Sequence, residues 1–135
     1  MESIKNSLIA DYQVRFTFKQ LHDHLLEFFI ENKINPEIAF DTDDFELYTP
    51  SDFRKIAEQL AEHDLRVTFH APYKDLTPAS RDPMIREVIF CRIKQLTAFI
   101  SIYRPMTVVC HTGYDFPRYA HEEKEWLENS KKEVA

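Results

Sequence analysis

The chain has 135 residues, 44% hydrophobic and 30% charged, ordinary globular usage that excludes a wholly disordered chain and allows one compact core, read as a single domain over residues 1–135. A formal charge of −6 disfavours a broad phosphate-binding surface, and with it nucleic acid as a partner. No apolar run approaches the roughly 20 residues of a membrane span, and residues 1–6 lack the basic-then-apolar order of a signal peptide, so a cytoplasmic protein is expected.

In chain order, residues 13–18 alternate as a strand does, with Val14, Phe16 and Phe18 on one face and Gln13, Arg15 and Thr17 on the other. Residues 19–33 follow as an amphipathic helix with the stripe Leu21, Leu25, Phe28 and Phe29. Asn35 and Pro36 punctuate the chain before a short second strand, residues 37–41, which sets Glu37, Ala39 and Asp41 opposite Ile38 and Phe40. Thr49, Pro50 and Asp52 read as cap, first helical residue and capping-box partner of a helix whose stripe is Phe53, Ile56, Ala57, Leu60 and Ala61.

Residues 65–70 form the third strand candidate, and Asp82-Pro83 then opens a long helix carrying Ile85, Val88, Ile89, Ile93, Leu96 and Ile100. Residues 106–111, nearly all apolar, read as a fourth strand covered on both faces. A polar helix over about residues 119–132 closes the sequence. Cys91 in a helix and Cys110 in a buried strand read as reduced core thiols rather than a disulfide.

The alternation of four strands and four helices implies parallel strands joined by right-handed crossovers. An open doubly wound sheet and half of an eight-unit barrel both satisfy it, and in both the functional groups gather at the C-terminal strand ends. His70 and His111 end the third and fourth strands, on the faces shared with Thr68 and with Thr107 and Val109. Asp41 ends the second strand on the face of Glu37. Asp41, His70 and His111 form a set that suits Zn, Mn, Fe or Co, an open site needing about three protein ligands. The bland alternatives are hydrogen-bonded structural histidines and, for Asp41, Asp43 and Asp44, a solvated loop that leads a helix.

Arg15 suits a phosphate or carboxylate, or an internal ion pair with Glu37. Tyr73, Lys74 and Asp75 follow His70 in its loop, where Asp75 orients an imidazole or simply caps a turn. Gly113, the sole glycine, suits a tight turn beside His111, and its solitude excludes glycine-rich nucleotide motifs. His22, His24, His63 and His121 read as surface residues of helices. No serine or cysteine has the setting of a covalent nucleophile, because Cys110 and His111 are adjacent and face opposite sides, and no catalytic acid or base is assigned.

The segments VTFHAPYKDL and VVCHTGYD, with NPEIAFD, resemble the xylose-isomerase-like TIM-barrel superfamily, which includes sugar phosphate isomerases and epimerases and the endonuclease-IV-like enzymes (AP endonuclease family 2). There the third strand commonly ends in His-x-Pro-Tyr and the fourth in His-x-Gly, patterns that His70-Ala71-Pro72-Tyr73 and His111-Thr112-Gly113 match. The resemblance implies an α/β fold, the parallel (βα)4 N-terminal half of a TIM barrel. In endonuclease-IV-like members the two matching histidines are zinc ligands, whereas in the sugar isomerases most ligands come from the last four strands, which have no counterpart in these residues.

The resemblance therefore implies a truncated barrel domain whose parent activity is sugar or sugar-phosphate isomerisation or epimerisation dependent on a divalent metal (Zn, Mn or Co). His70 and His111 are then metal ligands, and the chain alone is inactive. Two alternatives are a zinc phosphodiesterase acting on abasic DNA and a non-catalytic fragment that binds metal or ligand. An open half barrel exposes two edge strands, so a homodimer that closes the barrel is the expected partner arrangement.

Overall fold

The computed structural model describes residues 12–134. Strand β1 (Gln13–Thr17) ends where Thr17 caps helix α1 (Phe18–Gln20): its hydroxyl accepts the Gln20 N–H and the Gln20 side chain accepts the Thr17 N–H, both at 3.1 Å. The helix continues through a π-helical turn at Leu21–Leu25 into α2 (Leu26–Glu31). That wider turn shifts the phase of everything after it. Leu21 and Phe29 are buried as the periodicity requires, but Phe28 turns outward and is 52% exposed.

β2 (Asn35–Ala39) pairs in parallel with β1, Arg15 opposite Glu37 and Thr17 opposite Ala39. α3 (Asp44–Leu47) is a single turn, and α4 (Pro50–Glu62) opens with the expected capping box of Thr49 and Asp52. Phe53, Ile56, Ala57 and Leu60 are buried, whereas Ala61 lies on the exposed flank of a narrower stripe. β3 (Thr68–His70) and β4 (Val108–Val109) are shorter than the apolar runs suggest, although bonds from Met106 N–H to Val67 and from Ala71 N–H to Val109 extend their pairing. A ladder ends with its neighbour, and among the described residues β4 has a neighbour on one side only.

The sheet order is β1-β2-β3-β4, all parallel. This settles what periodicity left open, because a doubly wound sheet reverses its order at a switch point and a barrel adds strands in sequence. Ile38, Phe40, Val67 and Phe69 project from the sheet's outer face into a core with Phe18, Phe29, Phe53, Leu60 and Leu96. Aromatic rings fill it, Phe53 stacking on Phe18 at 4.3 Å and on Phe99 at 4.2 Å, with Phe40 edge-on to Phe69 at 4.9 Å. Each such ring, fully buried, contributes roughly 1.5–3 kcal/mol.

α5 (Pro83–Thr97) is capped by Asp82, which accepts the Met84 N–H at 2.8 Å, but only Ile89 and Leu96 of its expected stripe are buried. Ile85 and Val88 face solvent, and Ile100 belongs to a separate short helix, α6 (Ile100–Tyr103). α7 (Phe116–Tyr119) and α8 (Glu123–Val134) replace the single closing helix read from sequence.

The cysteine reading needs correction: both thiols are free, but Cys91 and Cys110 are exposed. Cys91 sits on the outer flank of α5. Cys110 follows β4, the open edge of the sheet, and lines a cleft of about 570 Å³ with Ile89, Phe90, Trp126 and Leu127. Among the described residues no helix is long and apolar enough to cross a membrane.

Candidate functional site

The face of the sheet opposite the core carries two rows of side chains. Arg15, Glu37 and Thr68 are register partners in the first; Thr17, Ala39, His70 and Val109 form the second, nearer the C-terminal strand ends. His70 is buried, and its Nδ1 lies 2.8 Å from Glu37 Oε1. Its Nε2 lies 2.8 Å from Nε2 of His111, which follows β4. A carboxylate only accepts, so a neutral His70 carries its proton on Nδ1 and accepts at Nε2, and His111 then donates from Nε2.

Tyr73 covers this pair. Its ring stacks on His111 at 4.2 Å and 25° and stands 5.7 Å from the His70 ring. The guanidinium of Arg15 lies over the same phenol at 5.9 Å, and its Nε is 3.9 Å from Glu37 Oε1. Arg15, Glu37, His70, His111 and Tyr73 thus close a ring of contacts at the C-terminal end of the sheet.

Gly113 allows the two loops of the site to approach. Its φ of 67° is left-handed, and a Cβ there would stand 3.0 Å from the Leu76 carbonyl oxygen and 3.1 Å from Thr77 Cα. The lone glycine therefore meets both requirements of its position, backbone conformation and space.

Two residues expected at the site are not brought to the histidines. Asp41 pairs with Lys74 at 3.1 Å, and its N–H is accepted by Asp44 at 2.8 Å. It stands apart because β2 ends at Ala39, and beyond a strand end alternation no longer fixes where a side chain points. Asp75 takes a left-handed φ of 59° in the turn closed by the Leu76 N–H to Tyr73 carbonyl bond, and it is exposed. Glu37 orients the imidazole instead. Parity had placed Glu37 on the correct face, but its reach along the diagonal to His70 depends on the sheet's register.

Asp44 is the buried carboxyl that sequence reading left in a solvated loop; burial pushes it up to about 6, against the lowering effect of its bond from the Asp41 N–H. His22 is only half-exposed, 4.7 Å from the Tyr48 ring, with Nδ1 2.8 Å from Asp23. Hydrogen bonds from Lys19 and His22 hold the Asp23 carboxyl near 2. His63 bonds the Gln59 carbonyl, and His24 and His121 are exposed, as expected of surface residues.

The two imidazoles fit one half of a metal site. Nitrogens sharing a tetrahedral Zn²⁺ stand about 3.4 Å apart, so His70 and His111 need part only by a fraction of an ångström from 2.8 Å. Glu37 behind His70 is the carboxylate partner that metal-ligating histidines ordinarily have. Among the described residues, no group of three or more His, Cys, Asp and Glu side chains is gathered to hold an ion.

A solved structure, that of a D-tagatose 3-epimerase-like protein, matches 91% of this chain with a TM-score of 0.66 and 19% sequence identity, over 46% of its own length. The fold is half of a TIM barrel. The chain spans about half the length of the barrel it matches. No family model matches the half-barrel sequence, and no curated protein matches it.

Proposed function

We propose that this half barrel carries the first part of a divalent-metal site for a sugar or sugar-phosphate isomerase or epimerase. The observation that carries the reading is the line Glu37–His70–His111 at the C-terminal end of parallel strands, 2.8 Å at each step. His70 and His111 would hold Zn²⁺, Mn²⁺ or Co²⁺ through Nε2, with Glu37 fixing the His70 ring. Such an ion, when bound, polarises a carbonyl and its neighbouring hydroxyl. Tyr73 shields the His111 face, and Arg15 lies beside the same opening.

With two ligands present, we infer that the chain alone is inactive and that the rest of the site is delivered by whatever closes the barrel. Among the described residues the free edges are β1 and β4, with Val14 and Val109 partly exposed on them. A second copy related by a twofold axis supplies parallel strands to both edges at once.

Native mass spectrometry of the purified chain, with and without added Zn²⁺ or Mn²⁺, tests both parts. A dimer that binds metal and loses it in His70→Ala and His111→Ala supports the reading. A monomer refutes the second copy, and unchanged metal binding in both variants refutes the ligand assignment.

A further inference from the structure

We infer that Arg15 is the receptor for an oxyanion, so that the molecule taken at this site carries a phosphate or carboxylate group. The inference uses the proposed function only for the location of the site.

Arg15 is the cation of the barrel-facing side of β1, and its side chain is 49% exposed. Among the described residues its carboxylate neighbour is Glu37, 3.9 Å away, at the limit of an ion pair. Glu37 Oε1 is meanwhile 2.8 Å from His70, so that carboxylate is already engaged. Among the described residues the Arg15 guanidinium donates no hydrogen bond. An ion pair so long and so exposed holds the guanidinium weakly, and its five N–H donors have no hydrogen-bond partner among the described residues.

The placement of the group is nonetheless not loose. Tyr73 lies under the guanidinium at 5.9 Å, and Tyr73 is itself stacked on His111 at 4.2 Å. A phenol at that distance attracts the cation and limits where it swings without using its N–H donors. Phosphates and carboxylates are bound by those donors, in pairs of parallel bonds. Holding the fork in advance lowers the ordering cost of binding. A second cation stands nearby: Lys74, tied to Asp41 at 3.1 Å, feels the Arg15 charge. Asp41 answers the charge of Lys74, so Arg15 is the cation that stands within one aromatic ring of the imidazole pair.

The test is titration of the metal-free chain with inorganic phosphate and, separately, with succinate, followed by the Arg15 Nε–Hε and Tyr73 ring signals in NMR spectra. Phosphate or succinate should shift both signals saturably, and the tighter of the two names the anion. Arg15→Gln should weaken that binding by about tenfold or more, the loss expected of a bidentate charge-assisted pair, and Arg15→Lys by less. The long ion pair makes the glutamine variant safe for folding, which its far-ultraviolet circular dichroism checks. Absence of any saturable shift, or binding unchanged in Arg15→Gln, overturns the inference. Zn²⁺ binding measured in parallel separates the two readings: a chain that binds phosphate but takes up no added Zn²⁺ leaves the anion receptor standing and removes the metal site.

Discussion

Glu37 and His70 meet at 2.8 Å along a diagonal, since the Cα partner of Glu37 is Thr68 and that of His70 is Ala39. The carboxylate thus reaches one row toward the C-terminal strand ends, where His111 receives the other side of the imidazole at 2.8 Å. Removing the charge of Glu37 while keeping its shape should loosen the His70 ring and reduce its basicity as a ligand. Glu37→Gln is expected to lower Zn²⁺ affinity by about 10- to 100-fold with little change in stability. Competition titration against a chromophoric chelator reads this directly; affinity equal to the parent chain's would show that Glu37 does not orient the ligand.

Gly113 should tolerate no side chain. A Cβ at 3.0 Å from the Leu76 carbonyl and a φ of 67° combine two independent penalties, and the crowding atoms are backbone. Gly113→Ala is expected to destabilise by about 1–3 kcal/mol and to separate the loop of Tyr73 from that of His111. Denaturant unfolding gives the first number, and loss of the ring-current shift on His111 from Tyr73 reports the second. A variant with parent stability would mean that the two loops give way easily.

Much of the fold was legible because parallel strands and amphipathic helices leave one-dimensional traces. The cap at Thr49, the stripe from Phe53 to Leu60 and the strand-end positions of His70 and His111 all follow from local spacing. Phe28 was misplaced because a π-helical turn changes the helical phase without any mark in composition. Cys110 was misplaced because an apolar run reads the same at an open sheet edge as in a sheet's centre. At the site, parity put Arg15, Glu37 and His70 on one face, but the choice of Glu37 over Asp41 and Asp75 as partner of His70 depends on register and turn geometry, which spacing does not carry.

Asp44 gives the chain a distinctive dependence on pH. Its side chain is buried, and the carboxyl is pushed up to about 6. The folded state therefore holds a proton that the unfolded chain has already released, so stability falls as pH rises from about 4 to about 6 and is level above that. The size is at most about 3 kcal/mol, from roughly 1.4 kcal/mol per unit. Asp44→Asn keeps an acceptor for the Asp41 N–H and removes the titration, so the variant should gain on the parent across this window. Asp23, held near 2, acts at lower pH and with the opposite slope. Urea unfolding at intervals between pH 4 and 7 checks the difference, and parallel curves for the two proteins would sink the assignment.

Thr68 reports whether the barrel-facing side of the sheet is wet. It precedes His70 by two positions on the same face, and its hydroxyl is buried without a hydrogen-bond partner among the described residues. A buried hydroxyl with no partner costs about 1–3 kcal/mol relative to one that is satisfied, so replacing it with a methyl of the same shape should relieve that cost. Thr68→Val is accordingly expected to be neutral or to stabilise by up to about 1 kcal/mol, measured by denaturant unfolding of the metal-free chain. The same substitution should leave Zn²⁺ affinity unaltered, because Thr68 touches neither imidazole through a hydrogen bond. Destabilisation beyond about 1 kcal/mol would instead mean that the hydroxyl is satisfied by a bound water in the barrel interior, and the row beneath His70 would then be part of a hydrated channel rather than a dry floor.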